Sequence, residues 1–251
     1  TLTGAATAAE RRELEHRLQS FLPVGATFSA GEFAERAHAE IDRALAANRR
    51  PIVVGGTGLY LQAALCDLDL RPPPAPRIRE RLTAEADRRG PEALHAELAQ
   101  RAPGTAAAIK PTDRTRVVRA LELLEMGEEP APVGEGSRLW TAETRHPTLL
   151  AGLVMEREAL YERIDARVDE MVAAGAADEV RRAEAAGASA TARKALGYEE
   201  LLRGDPEAMK RRTRNYAKRQ LTWLRKLPGV HRIDVTDKQV ADVAMFLERL
   251  L

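Results

Sequence analysis

The first clear pattern of apolar and polar positions lies between residues 29 and 48. Ser29 and Glu32 form a capping box, and Phe33, Ala37 and Ile41 follow at helical spacing, so a helix is predicted to run to about residue 48. The apolar run PIVV at 51–54 predicts a buried strand, and a glycine turn and the apolar segment LYLQAAL follow it. Helix, strand, turn and helix in this order predict an α/β unit with a parallel sheet.

The next segment has a different character. The sequence RPPPAP at 71–76 cannot be helical and marks a boundary, after which the pattern predicts helices at about 77–89, 91–100 and 113–126 with no strand between them. The stretch 127–146 is rich in Gly, Pro and Glu and predicts a mobile loop. We therefore predict a helical insertion domain at 71–146, with an α/β core formed by 1–70 and 147–251.

The core pattern resumes with TLLAGLVM, which predicts a buried strand, and with a long helix carrying apolar residues at helical spacing. Gly175 and Gly187 punctuate two further helices. Asp205 and Pro206 combine an N-cap with a proline at the first helical position and predict a helix to about residue 226. A last strand, VHRIDV, and a short helix end the sequence.

Composition fits a globular protein without a membrane span. Of the 251 residues 44% are hydrophobic and 31% charged, with 39 Lys and Arg against 38 Asp and Glu. The longest apolar stretch, Leu149 to Met155, falls far short of the ~20 residues of a membrane helix. A single cysteine, Cys66, excludes an internal disulfide and fits a reducing compartment. We expect a cytoplasmic protein, and the five histidines show no metal-ligand spacing.

The predicted helix 206–226 carries a concentration of positive charge. Lys210 to Lys226 contains eight Lys and Arg and no Asp or Glu. On a helical projection Arg211, Arg214, Lys218 and Arg225 fall within about 60°, opposite an apolar face that Gln220 interrupts. A solvated face normally mixes signs, so this pattern favours phosphate binding over a simple surface face. Gln220 is either a structural tie or a polar group directed into a site.

Two other segments are candidates for chemistry. In VGGTGLY, Thr57 lies on a glycine turn before a helix, where it is either a helix cap or a contact to a polar ligand. This turn is not a Walker-type phosphate loop, because G-x-x-x-x-G-K-[ST] is absent from the sequence. Arg114, Arg116 and Arg119 lie in the first turns of a helix, where cations oppose the macrodipole and an external anion would explain them.

Six segments together resemble the bacterial tRNA dimethylallyltransferases. They are FSAGEF, PIVVGGTGLY, PTDRTRVVRALE, LYERIDARVDEMVAAGAADEV, KALGYEE and YAKRQLTWLRK, in the family's order and spacing. The resemblance implies an α/β, P-loop-kinase-like parallel-sheet core with a helical insertion domain. It also implies transfer of a dimethylallyl group from dimethylallyl diphosphate to the N6 amine of the adenine 3′ of the anticodon, Mg²⁺ as cofactor, and the tRNA anticodon stem-loop as partner of a monomer.

The resemblance also implies site residues. Thr57 and Arg79 match family positions at the reaction centre, and no metal ligand is implied in this chain. Arg214, on the basic face described above, is also predicted to contact the tRNA. The resemblance implies tRNA contacts at Thr115, Arg116, Val117, Val118, Arg119, Lys194, Ala195, Leu196, Gly197, Tyr198, Glu199, Lys218, Arg219, Gln220, Leu221, Thr222, Trp223, Leu224 and Arg225.

One family feature is missing from the sequence. The family begins with a strand, a phosphate loop and an Asp that acts as general base, and this sequence resembles the family without that N-terminal part. Two hypotheses follow: a prenyltransferase whose chemistry needs the missing part, with no transfer expected from these residues alone, or a catalytically inactive tRNA- or RNA-binding module. A third alternative is a P-loop small-molecule kinase, but this sequence does not contain the phosphate loop that defines those kinases.

Overall fold

The computed structural model describes residue 2 and residues 5–68, 70, 72, 75–130 and 141–250. Residues 131–140, half of the predicted loop at 127–146, lie outside the described residues. The described chain is helix-rich, with one small parallel sheet. Its elements are α1 (Ala8–Glu13), α2 (Ala30–Ala46), α3 (Gly58–Leu65), α4 (Pro76–Arg89), α5 (Pro91–Arg101), α6 (Pro103–Ala107), α7 (Arg114–Glu125), β1 (Ala151–Val154), α8 (Arg157–Ala173), α9 (Ala176–Ala185), a short 3-10 helix (Ala192–Lys194), α10 (Tyr198–Leu202), α11 (Pro206–Lys226), β2 (His231–Asp234) and α12 (Val240–Glu248).

The chain divides into two compact units. Unit 1 consists of Thr1–Asp67 with Trp140–Leu251, and unit 2 is Leu68–Leu139. In unit 1, β1 pairs with β2 in parallel, with Ala151 opposite His231 and Val154 opposite Asp234. Its core brings together residues of α8, α9, α10 and α11, including Val168, Val180 and Met209. In unit 2, α4, α5 and α7 pack around Leu82, Leu94, Leu98 and Leu121.

Local signals in the sequence place most helix ends correctly. The Ser29 hydroxyl accepts from the backbone N–H of Glu32, and the Glu32 carboxylate accepts from the Ser29 N–H, so the predicted capping box begins α2. Asp205 accepts from the Ala208 N–H at 2.8 Å, and Pro206 is the first residue of α11. The three predicted helices of unit 2 are α4, α5 and α7, whereas the sequence pattern missed the short α6.

The predicted strand at 51–54 is wrong. These residues form no strand, and the side chains of Ile52 and Val54 are 76% and 88% exposed. A parallel strand requires hydrogen-bonding neighbours, and none of the described residues supplies one to this segment. The strand predicted in TLLAGLVM is present as β1, but Leu153 is 57% exposed, so it is not buried on both faces.

Candidate nucleic-acid interface

The glycine turn of unit 1 lies directly against α11. A Cβ on Gly58 would come within 1.7 Å of the Trp223 ring, and a Cβ on Gly56 within 1.9 Å of the Gln220 side-chain nitrogen. The Gln220 amide donates to the Gly56 carbonyl oxygen at 3.0 Å. Gln220 is therefore a structural tie, although it joins α11 to the glycine turn and not to the sheet. Glycine is needed at both positions because the backbone approaches α11 so closely.

The Thr57 hydroxyl is held by Tyr216 of α11. The two hydroxyl oxygens lie 2.9 Å apart, and the Tyr216 hydroxyl donates to the Gly56 carbonyl oxygen at 3.2 Å. Because Tyr216 has a single hydroxyl proton, both bonds form together only if Thr57 donates to Tyr216. Thr57 is exposed, so the remaining lone pairs of its oxygen can accept a hydrogen bond from a ligand.

The interpretation of Thr57 as a side-chain cap is wrong. Thr57 occupies the N-cap position of α3, but its side chain accepts no hydrogen bond from the helix backbone. The Leu61 N–H donates to the Thr57 backbone carbonyl as the first bond of the helix. The hydroxyl therefore bonds α11 and not the end of α3.

The cations in the N-terminal half of α11 form ion pairs with carboxylates. Lys210 contacts Asp169 at 2.8 Å and Glu207 at 2.9 Å, and these hydrogen bonds raise its pKa to about 12. Arg212 binds Glu200 at 2.9 Å, and Arg214 binds Asp165 of α8 at 2.7 Å. The sequence prediction counted only acids within the helix, whereas three of these carboxylates come from neighbouring helices. The basic face is therefore shorter than predicted, and Arg214 forms part of an internal ion pair.

The C-terminal half keeps its charge. Within the described part of the chain, Lys218, Arg219 and Arg225 form no salt bridge, and all three are exposed. The Lys218 nitrogen lies 6.0 Å from the centre of the Tyr161 ring, and the Arg219 guanidinium 5.5 Å from that of Tyr216. Arg219 is available to an anionic ligand close to Thr57, since Tyr216 contacts both residues, whereas Lys218 lies beside Tyr161 of α8.

Several residues in the implied tRNA-contact set are buried. Val117 and Val118 belong to the core of unit 2, with 0% and 4% exposure, so a side-chain contact to RNA is ruled out there. Tyr198 is 3% exposed in the core of unit 1 and donates its hydroxyl to Glu184 at 2.9 Å. Gly197 is buried with φ +88°, a left-handed conformation that favours glycine. Each implied tRNA-contact segment therefore contains both surface and core residues, and the buried ones stabilise the fold.

The other residues of the implied set keep some exposure. Thr115, Arg116, Lys194 and Thr222 are exposed, like Lys218, Arg219 and Arg225, and the rest are half-buried. The half-buried residues are Arg119, Ala195, Leu196, Glu199, Gln220, Leu221, Trp223 and Leu224.

Unit 2 contains a buried carboxylate that binds two arginines. Glu122 is fully buried, and its Oε2 accepts from Arg79 Nε at 3.1 Å and from Arg119 at 2.6 Å. Burial raises the pKa of the Glu122 carboxyl, but the two arginines outweigh burial and leave the pKa below its ordinary value. Sequence reasoning identified both arginines and missed Glu122, whose only signal was an acid on the apolar side of α7.

The arginines at the start of α7 also have internal partners. Arg114 binds Asp87 of α4 at 2.6 Å, and Arg116 approaches Asp113 at 3.5 Å. The inference that an external anion best explains these cations is therefore wrong for Arg114 and Arg119, because carboxylates of the same unit account for them.

The described residues hold no ready-made cluster of metal-binding side chains. In the part of the chain that the structure describes, no three His, Cys, Asp or Glu side chains come together in a group that could hold a metal ion. We derive no chemical step through a metal. Likewise, no described helix combines the length and the apolar character needed to cross a membrane.

The family comparison decides the assignment. The IPP transferase family matches residues 1–227. The chain belongs to the IPP transferase family. Among curated relatives of this IPP transferase, the tRNA dimethylallyltransferase of Thermobifida fusca is 41% identical, with 98% of this chain and 79% of the relative aligned. That of a Bradyrhizobium strain is 41% identical over 89% of this chain and 77% of its own length.

Solved structures agree with the family assignment. The full-length tRNA isopentenylpyrophosphate transferase of Bacillus halodurans matches with a TM-score of 0.64 and 32% identity, covering 98% of this chain and 80% of its own. A eukaryotic dimethylallyltransferase acting on tRNA gives a TM-score of 0.77 over 99% of this chain and 68% of its own. Its 24% identity supports the fold alone. The IPP transferase fold is thus shared along nearly the whole chain.

Proposed function

We propose that this protein transfers a dimethylallyl group from dimethylallyl diphosphate to the N6 amine of the adenine 3′ of the anticodon in tRNA. The observation that carries the proposal is the 41% identity to a tRNA dimethylallyltransferase along 98% of the chain. This match favours the enzyme over the alternative of an inactive RNA-binding module. A P-loop-kinase-like core, the action of Mg²⁺, a monomeric state and a cytoplasmic location stay predictions.

The geometry at Thr57 supports a role in holding the amine. In the reaction, N6 forms a bond to C1 of the dimethylallyl group, the bond from C1 to the diphosphate oxygen breaks, and N6 loses a proton. An amine N–H is a donor, and Thr57 offers an acceptor because its own proton is directed to Tyr216. A base must leave the anticodon-loop stack to be alkylated, so an acceptor fixed in place helps to hold its edge.

The charges on α11 support a role in binding the RNA backbone. Lys218, Arg219 and Arg225 project from the C-terminal half of the helix that also fixes Thr57 through Tyr216. Contacts to phosphates set the position of an RNA without reading its sequence. In this proposal the cations place the stem-loop while Thr57 contacts the base. Arg79, a reaction-centre position in the resemblance, is held by Glu122.

A transfer assay tests the proposal. The protein, expressed with any residues that its gene encodes before Thr1, is incubated with radiolabelled dimethylallyl diphosphate and a tRNA whose anticodon is followed by adenine, and label in the tRNA is counted. We expect incorporation into this tRNA and none when guanine replaces that adenine. Incorporation that is equal for the two tRNAs would contradict the assigned position, and its absence from both would contradict the assigned reaction.

A further inference from the structure

A second cationic feature of unit 1 lies beside α11 and extends beyond the segments marked by the sequence. Helices α8 and α11 border an open cavity of about 300 Å³. Its lining includes Arg157 and Tyr161 of α8 together with Lys218, Thr222 and Arg225 of α11. The volume lies at the lower end of the range of about 300–1,000 Å³ that is typical of ligand sites. The residues of α8 appear in none of the implied tRNA contacts.

The charge on the cavity wall is of one sign. Arg157, Lys218 and Arg225 line it, and no Asp or Glu is among its lining residues. None of the three cations forms a salt bridge within the described ranges. Cations that share a wall repel one another, and an anion between them would remove that cost. The arrangement is therefore incomplete without a negative partner.

Glu156 and Asp165, which are close in sequence to the α8 residues of the cavity, accept hydrogen bonds from other groups. Glu156 precedes Arg157, and its carboxylate accepts from the backbone N–H groups of Glu158 and Ala159 at 2.6 and 3.2 Å. These bonds keep the pKa of Glu156 below its usual value, so its carboxylate stays ionised and caps the N-terminus of α8. Asp165, one turn beyond Tyr161, is bound by Arg214 at 2.7 Å. Asp165 is therefore paired with Arg214, whereas the Glu156 carboxylate keeps its charge and interacts electrostatically with Arg157 from outside the cavity lining.

The remaining wall suits the organic part of a phosphate ester. Leu160 and Leu221 supply apolar surface, while Tyr161 and Thr222 supply hydroxyl groups. Cations beside an apolar surface match a ligand that joins a phosphate to a ribose, a base or a prenyl chain. A free inorganic anion would use the cations alone.

We propose that this cavity is a phosphate-binding subsite, with Arg157, Lys218 and Arg225 holding the phosphate and the apolar wall contacting the group attached to it. The proposal deepens the proposed function and rests on it for the origin of the phosphate. That phosphate is either one of the RNA backbone or the diphosphate of the prenyl donor, and both present the same chemistry to the three cations.

The test compares Arg157→Gln and Arg225→Gln with the control Arg167→Gln, an exposed arginine on the same α8 helix outside the cavity. All three side chains are exposed, so melting curves should stay close to wild type. Binding is measured with a fluorescent anticodon stem-loop and, separately, with inorganic pyrophosphate by calorimetry. We expect both cavity variants to weaken at least one ligand about tenfold, as loss of one charged hydrogen bond would. Arg167→Gln should change neither ligand by more than about twofold.

The outcomes separate the sources. A loss confined to the stem-loop, with a shallower salt dependence, supports an RNA phosphate, and a loss confined to pyrophosphate supports the donor diphosphate. Unchanged affinity for both ligands, equal losses in Arg167→Gln, or no binding of either ligand to the wild-type protein would overturn the subsite. If the transfer assay fails but the cavity variants still bind a ligand more weakly than wild type, the proposed reaction is contradicted and the phosphate subsite is supported.

Discussion

The Thr57 hydroxyl owes its direction to a residue 159 positions away in the sequence. Sequence reasoning selected Thr57 from the glycine turn, and it left open whether the hydroxyl capped a helix or contacted a ligand. The bond to Tyr216 accounts for the Thr57 hydroxyl without a helix cap, and the contact to a ligand stays a prediction. No local pattern could have shown this, since the bond joins two elements that only the fold brings together.

Thr57→Ala should therefore lower transfer by about one to two orders of magnitude, which corresponds to one or two hydrogen bonds. The melting temperature should change little, because the hydroxyl does not cap α3. Tyr216→Phe should give a smaller loss, since Thr57 keeps its hydroxyl but loses its fixed direction. Transfer is measured under single-turnover conditions, with the exposed Thr191→Ala as control. Unchanged transfer in Thr57→Ala with a lowered melting temperature would contradict the proposed role.

Glu122 gives a prediction about stability and pH. Its pKa is lowered in the folded protein, so its ionised form stabilises the fold above the unfolded pKa near 4.5, and this contribution is lost as pH falls through the folded pKa. Glu122→Gln should destabilise unit 2 at pH 7 by about 3 kcal/mol, because Arg79 and Arg119 lose their buried carboxylate.

Thermal melts of wild type and Glu122→Gln between pH 7 and pH 3 check this. The difference between the two proteins should narrow below about pH 4.5. Glu80→Gln, an exposed position on α4, is the matched control and should melt like wild type at pH 7. A difference between wild type and Glu122→Gln that stays constant over this pH range would show that the Glu122 charge does not contribute.

Helix α11 shows how far an element can be predicted from its sequence. Its start, its end and the division into a basic and an apolar face follow from the cap, the proline and the periodicity. The electrostatic character does not, because Asp165, Asp169 and Glu200 approach from α8 and α10. The strand predicted at 51–54 was wrong for a similar reason, because an apolar β-branched run forms a strand only if another strand pairs with it.

The pairing along α11 predicts unequal effects on RNA binding. Lys218→Ala with Arg219→Ala should flatten the slope of log K against log salt by about 0.7–0.9 for each phosphate that the variant no longer binds. Arg211→Ala with Arg212→Ala removes the same charge, but Asp205 and Glu200 already oppose it, so the slope should change less. Titrations of an anticodon stem-loop at several salt concentrations distinguish the pairs. Equal flattening would contradict the division of α11 into paired and unpaired halves.

The contact between the glycine turn and α11 predicts a steric effect. Gly58→Ala places a methyl group against the Trp223 ring and should cost about 1–3 kcal/mol by overpacking. Gly55→Ala is the matched control, because its added carbon would lie at an ordinary 3.4 Å from Leu61. Urea unfolding of both variants measures the difference. If the two are equally stable, α11 does not hold the turn as closely as described.

At the scale of the molecule, each of the two units has its own cluster of buried hydrophobic side chains among the described residues. The core of unit 2 is formed by leucines of three helices whose periodicity is plain in the sequence. The core of unit 1 joins side chains of four successive α-helices, among them Val168, Val180, Tyr198 and Met209, with Leu2 from the beginning of the sequence. Periodicity identifies the helices of both units, but it indicates which helices meet only where they are neighbours in sequence.

Substitution in each core should loosen the helices that surround it. Leu121→Ala removes a side chain with 0% exposure and should cost about 2–5 kcal/mol, with faster amide hydrogen exchange in α4, α5 and α7. Val168→Ala, at 2% exposure, should cost less because it removes fewer carbon atoms, and exchange should rise in α8, α9 and α10. Hydrogen exchange followed by mass spectrometry resolves the peptides of each unit.

The exposed substitution Leu153→Ala in β1 serves as control and should leave both sets of helices as protected as in wild type. Leu121→Ala without faster exchange in α4, α5 and α7 would mean that this leucine does not hold the three helices together.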